Sequence, residues 1–261
     1  MIREVYESLK VYNNVVANSN GFNIYKVNSG NAFALAKDDT IIDVSRNITD
    51  LYNSARAMSN GSAFTNSVLI DVDSTLADFH KSLKHLLADN GYKFYPSKVT
   101  DYYGKGMTKN VIGCDWEIAR KGMKSPLLYT DKYFILYPGI DEGIGLLQQY
   151  GFTTSGYTGA ENVQEIYSMR QQFCMNHNLI PNVYIGDKPI ITGYDALFDD
   201  NPYLVQRWLD SDTSTKIYLI EQPYNRGVKF RNNNGRVCRC KSFYEAAQRF
   251  LQDKSKEMRI R

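Results

Sequence analysis

The motif Asp71-Val72-Asp73-Ser74-Thr75 follows directly on a short apolar run, Val68-Leu69-Ile70. Where a chain stays extended, residues two apart leave on the same side, so Asp71 and Asp73 point together. Carboxylates that close repel, and either a cation sits between them or one holds a proton. Both arrangements suit phosphoryl chemistry. One carboxylate attacks phosphorus to give an aspartyl phosphate, and the other protonates the leaving oxygen. A second acidic pair, Asp199-Asp200, follows Ala196-Leu197-Phe198. Mg²⁺ is a hard ion that takes one or two carboxylates plus water and substrate phosphate, which Asp71 with Asp199 would supply. Between the two pairs come Thr158-Gly159, after a run ending at Tyr157, and Lys188, after a run ending at Ile185. A hydroxyl and an ammonium are the groups that hold phosphate oxygens and the charge that builds on them. Each part also has an ordinary reading: a turn for either acidic pair, a surface lysine, a loop hydroxyl. Their order, each at the end of an expected strand, favours chemistry.

The elements that must position these residues alternate. Residues 139–150 have helical spacing with Ile140, Ile144 and Leu147 on one face, and 152–157 read as a strand. Helix is expected over 162–177 and 243–251, and strands over 183–185, 196–198 and 217–220. Such alternation predicts an α/β fold, a Rossmann-like parallel sheet with helices on both faces and ligands at the carboxyl ends of its strands. From about 79 to 137 the alternation is broken by mainly helical sequence rich in aromatics, among them Tyr92, Tyr102, Tyr103 and Trp116. An insertion placed after the first strand would overhang the site as a cap. Residues 1–66 read as a small α+β appendage with a hairpin around Asn28-Ser29-Gly30-Asn31, a further strand over 40–44, a helix over 48–58 and a linker at 59–62. Residues 67–261 then form the catalytic core with its cap.

The ordered set resembles the haloacid dehalogenase superfamily of phosphatases. Its motifs would be Asp71-Val72-Asp73-Ser74-Thr75, Thr158, Lys188 and Asp199-Asp200. The resemblance extends to the 5'(3')-deoxyribonucleotidases through Leu76-Ala77-Asp78-Phe79, Tyr137-Pro138-Gly139, Gly186-Asp187-Lys188-Pro189, Asp195 to Pro202, and Gln222-Pro223-Tyr224-Asn225. It covers about residues 67 to 252. It implies Asp71 as nucleophile and Asp73 as general acid-base, with Mg²⁺ held by the Asp71 side chain, the Asp73 carbonyl and Asp199. It implies phosphate binding by Thr158, Gly159 and Lys188, and support from Asp200 and Thr75. Phe79 and the cap residues Tyr102, Tyr103 and Trp116 would meet a base. Two departures stand out: Ser74 occupies a place that usually holds glycine, and the polar strand leaves Ser155 as a rival to Thr158. The implied activity is a Mg²⁺-dependent phosphomonoesterase acting on nucleoside monophosphates. Alternatives are a sugar phosphate, a nucleic-acid 3'-phosphate, or nucleotide binding without catalysis.

The remaining composition is unremarkable for a soluble domain. The 261 residues carry 31 basic and 28 acidic side chains, too balanced for a nucleic-acid-binding footprint. Four cysteines make no disulfide framework, and no run reaches the roughly 18 apolar residues of a membrane span, so a cytoplasmic protein is expected; the resemblance implies a small-molecule nucleotide as its substrate. A homodimer is left open. His80, His85 and His177 lack metal-ligand spacing, and His80 is expected to be solvated or to line its helix. Cys238 and Cys240 are expected to be ordinary residues on a late strand.

Overall fold

The computed structural model describes the backbone of 15–19, 22–27, 32–37, 40–45 and 66–260, apart from 161–163, 192 and 212, with side chains from 66 to 256. The chain divides into two compact units, Met1–Thr65 and Asn66–Arg261. In the first, strands β1 (Val15–Ser19), β2 (Phe22–Val27), β3 (Ala32–Lys37) and β4 (Thr40–Ser45) pair antiparallel in sequence order. The expected turn at 28–31, the helix over 48–58 and the linker lie outside the described residues.

The second unit is built on a five-stranded parallel sheet ordered β11-β10-β9-β5-β6. Its strands are β5 (Ser67–Ile70), β6 (Thr153–Gly156), β9 (Ala196–Asp199), β10 (Lys216–Ile220) and β11 (Val237–Cys240). Every residue of β5 and β9 is buried, as a parallel strand covered on both faces requires. Val68, Ile70, Phe198, Tyr218 and Ile220 share one core cluster with helices α4 (Ile140–Gln149) and α7 (Phe243–Ile260). By alternation Leu69, Leu197, Ile217 and Leu219 face the other way, and α6 (Pro202–Leu209) packs on β10 with Leu204, Val205 and Trp208 buried. Helices on both faces of a parallel sheet are therefore present. Helix α7 runs well past the expected stop at 251. Its polar second half is tied to the sheet, with Tyr218 donating to Asp253 at 2.9 Å and Lys254 to Asp195 at 2.6 Å.

After β6 the chain forms a short strand β7 (Thr158–Ala160), which pairs parallel with β8 (Val183–Ile185) apart from the main sheet. Between them runs α5 (Gln164–Asn176). It passes so close to β6 that a Cβ on Gly156 would lie 2.5 Å from the Cys174 sulfur.

The insertion holds α1 (Phe79–Asp89), α2 (Lys109–Ile112), α3 (Trp116–Met123) and a 3₁₀ turn, Pro126–Tyr129. Asp78 caps α1 by accepting from the Lys81 amide at 3.1 Å. The segment has its own core of Leu83, Leu86, Leu87, Phe94, Ile112 and Leu128. It leaves and rejoins the sheet unit through a narrow neck. There Asp78 N donates to Ile135 O at 2.7 Å, Tyr137 N to Leu76 O at 2.9 Å, and Ala77 bridges Leu136.

Candidate active site

The register of the sheet brings the two acidic motifs together. Ile70 pairs with Phe198, and the Asp71 amide donates to the Phe198 carbonyl at 2.9 Å, so Asp71 leaves β5 beside Asp199 at the end of β9. Lys188, in the loop after β8, links them: its Nζ donates to Asp71 Oδ1 at 2.8 Å and Asp199 Oδ2 at 2.7 Å. Burial works against the ammonium, but the Asp199 and Asp71 carboxylates more than offset it and hold Lys188 above its ordinary range. Asp199 is shifted by its own burial. Burial, opposed by Lys188, pushes Asp199 up to about 6.

Asp200 is buried beside them, its carboxylate accepting from Thr75 Oγ1 at 3.1 Å and from the Tyr224 hydroxyl. Burial first, then the charges of Asp71 and Asp199, raise its pKa well above the ordinary value. Asn225 fixes the Asp200 backbone by donating to its carbonyl and to that of Ile220, both at 2.8 Å. Carboxyl oxygens of Asp71, Asp199 and Asp200 lie within 4.8 Å of one another. That all-oxygen donor set suits a hard divalent cation. With Asp73 there are four carboxylates against the two cations Lys188 and Arg170, so a divalent ion would balance the charge of the ionised site. The site fits Mg²⁺, with Asp200 closer to the ligand set than a supporting role implied.

Asp73 is held by a residue that the motif pattern missed. Arg170, buried on α5, donates through Nη2 to Asp73 Oδ2 at 2.5 Å and to the Tyr129 hydroxyl at 2.6 Å, and through Nη1 to the Thr158 hydroxyl. Burial raises the Asp73 pKa against the pull of Arg170. The buried face of α5 comprises Ile166, Arg170 and Cys174, an i, i+4, i+8 stripe. An arginine in the middle of an otherwise apolar stripe was the readable signal. Thr158 is fully buried, and Ser155 lies buried within β6. At this point the wall of the cavity is formed by Gly159 and Ala160, not by either hydroxyl.

Ser74 has φ +60°, and its carbonyl accepts from Gln222 Nε2 at 2.7 Å. A left-handed backbone there explains why glycine would be favoured after the second aspartate.

Asp71, Asp73, Lys188 and Asp200 line a cavity of about 730 Å³ together with Phe79, Tyr102, Tyr103 and Trp116. Gly104 lies against the Trp116 indole so closely that a Cβ would fall 1.9 Å from a ring atom. Tyr103, 64% exposed, meets Tyr203 at the start of α6 with ring centroids 4.7 Å apart. Tyr203 was not foreseen. It is delivered by the acidic motif itself, because Asn201 caps α6 by accepting from the Tyr203 and Leu204 amides at 2.9 and 3.3 Å. His80 also differs from expectation: it is a half-buried part of the cavity wall, edge-on to Phe79 and Tyr224. Burial lowers its pKa to about 4, so the imidazole is neutral.

No family model matches the sequence, and no curated protein matches it. Among solved structures, CbbY from Rhodobacter sphaeroides in complex with phosphate is similar over 69% of this chain and 95% of its own, at 15% identity and a TM-score of 0.42. A predicted phosphatase from Clostridium acetobutylicum is similar over 73% of this chain and 100% of its own, at 16% identity and a TM-score of 0.42. A haloacid dehalogenase-like family hydrolase from Xanthomonas campestris is similar over 75% of this chain and 100% of its own, at 12% identity and a TM-score of 0.38. Among the described residues no helix is long and apolar enough to cross a membrane.

Proposed function

We propose that the chain is a Mg²⁺-dependent phosphomonoesterase of the haloacid dehalogenase type, acting on deoxynucleoside and nucleoside monophosphates. The observation that carries the reading is one cavity lined both by the carboxylates Asp71, Asp73 and Asp200 and by the aromatic residues Phe79, Tyr102, Tyr103 and Trp116. Asp71 attacks phosphorus, the ester P–O bond breaks, and Asp73 gives its proton to the leaving oxygen. Asp73 then takes a proton from water, which attacks the aspartyl phosphate, breaks its bond to Asp71 and releases inorganic phosphate. Lys188 holds Asp71 in place and opposes the charge on the phosphoryl oxygens, which the Gly159 segment borders. Asp71, the Asp73 carbonyl, Asp199 and Asp200 would hold Mg²⁺, which when bound draws charge from the phosphoryl oxygens.

The aromatic walls support the nucleotide. The sheet end serves any phosphate, so selection falls to the cap, where a stacked base gains about 1–3 kcal/mol. A panel of mononucleotides, sugar phosphates, 3'-phosphorylated oligonucleotides and p-nitrophenyl phosphate tests this. Phe79→Ala and Tyr103→Ala are expected to raise KM for mononucleotides about 10- to 100-fold more than for the aryl phosphate. Equal losses would remove the base from the reading, and no phosphate release from any member would remove the activity.

A further inference from the structure

Arg170 joins three groups of different origin. One guanidinium reaches Asp73 after β5, Thr158 at the start of β7 and Tyr129 in the insertion. Its carbon also lies 4.8 Å from the centroid of the Tyr129 ring. A planar guanidinium bound at both terminal nitrogens is fixed in orientation, which a flexible ammonium would not be. Such an assembly costs desolvation of a buried cation, so it needs a reason beyond packing.

The two oxygens of Asp73 supply that reason. Oδ2 accepts from Arg170, whereas Oδ1 is buried with no hydrogen-bond partner in the protein. A carboxyl group free to rotate presents either oxygen. Here the arginine takes one and leaves the other. We infer that Arg170 is a positioning residue: it fixes the orientation of the Asp73 carboxyl beside the cavity, and it ties that orientation to Tyr129 of the insertion. The inference rests on the phosphatase reading for its chemistry. The proton on the Asp73 carboxyl passes to the leaving oxygen as the ester P–O bond breaks and its electron pair stays on that oxygen. In the second half-reaction the same carboxyl takes the proton from the attacking water. Both terminal nitrogens of Arg170 are already committed to protein groups, so its action on the substrate is exerted through Asp73.

Leaving groups separate this role from its rivals. A nucleoside alcohol needs the proton as it departs, and p-nitrophenolate does not. In the full-length protein, Arg170→Gln is expected to lower kcat for a deoxynucleoside monophosphate about 100-fold, with KM nearly unchanged, and to lower kcat for p-nitrophenyl phosphate less than about fivefold. Arg170→Lys, which keeps the charge but holds Asp73 at one point, should fall between wild type and Gln. It carries the test if Arg170→Gln fails to fold. Equal kcat losses for both substrates, or a KM rise common to both, would assign Arg170 to the phosphate directly and overturn the inference. So would unaltered kinetics.

A second readout needs no turnover. In ¹⁵N NMR of the wild-type protein, Arg170 should show separate, slowly rotating Nη signals that merge in Asp73→Asn. A freely rotating guanidinium in the wild type overturns the inference whatever the substrate. Absence of phosphate release by the wild type, with the slow signals present, would instead sink the phosphatase reading alone.

Discussion

The Lys188 ammonium stands 2.8 Å from Asp71 Oδ1, on the carboxylate proposed to attack phosphorus. The same ammonium reaches Asp199, so one cation holds carboxylates from two strands in a fixed relation.

Removing that cation should hurt twice. Lys188→Met is expected to lower kcat by about 10²–10³, the usual loss for one group that stabilises developing charge. Measured by urea unfolding in EDTA near neutral pH, it should also destabilise the metal-free protein by about 3 kcal/mol, because buried carboxylates lose their partner. Asp71→Asn should contrast with it by abolishing turnover while leaving the unfolding midpoint at least as high. Lys188 still has Asp199 in that variant.

Turnover should require Mg²⁺ and fail in EDTA, and Ca²⁺ should inhibit because its longer, more numerous contacts misplace the nucleophile. The pH dependence follows from Asp199, raised to about 6. An acid raised in the folded state favours its protonated form there, so the metal-free protein loses stability from this group as pH rises through 6. A metal ion needs the ionised form. The Mg²⁺-induced rise in Tm should therefore be larger at pH near 7.5 than near 5, and an equal shift at both would contradict the ligand assignment.

His80 gives a shift of opposite sign. Its folded pKa is lowered to about 4, against about 6.5 when unfolded. Between those values the unfolded chain binds the proton and the folded one does not, so stability is lost as pH falls below 6.5. The loss from this residue should reach about 1–2 kcal/mol near pH 5. Urea midpoints of wild type and His80→Gln at both pH values isolate it, since the Asp199 effect is common to the two proteins. A parallel fall in both would show that His80 is already charged.

Ser74 carries a left-handed backbone, at φ +60°. Both Ser74→Ala and Ser74→Gly remove the hydroxyl, but the alanine keeps the strain and the glycine relieves it. The glycine variant should be more stable than the alanine variant by about 1 kcal/mol in thermal unfolding. The reverse order would mean that the turn relaxes to a different conformation.

How much of this could be read from residues alone depended on periodicity. Val68-Leu69-Ile70 and Ala196-Leu197-Phe198 were legible because a strand buried on both faces is a continuous apolar run, and parallel pairing then puts the residues that follow side by side. Strand β1 was missed: its sequence, Val-Val-Ala-Asn-Ser, turns polar halfway and offers no alternation. The far half of α7 was missed because ion and hydrogen-bond contacts through Asp253 and Lys254, not an apolar stripe, secure it. Motif order drew attention to Thr158 and past Arg170. Spacing within a strand says nothing of a guanidinium that arrives from a helix and takes the hydroxyl for itself. His80 reads as solvated or helix-lining, with substrate contact second, because a lone histidine on a helix carries no signal of the rings that the fold brings around it.

The neck at Ala77 and Leu136 has a consequence for how such a protein can be re-engineered. Its two chain crossings are neighbours joined by backbone hydrogen bonds, so the ends of the intervening segment are already closed. Loop-closure entropy grows only slowly with length, and here the closure is independent of what lies between. The segment is thus a detachable module: it can be trimmed, lengthened or grafted from another chain without altering the strands that carry Asp71 and Asp199. A graft must keep Tyr129, whose hydroxyl shares the Arg170 guanidinium with Asp73.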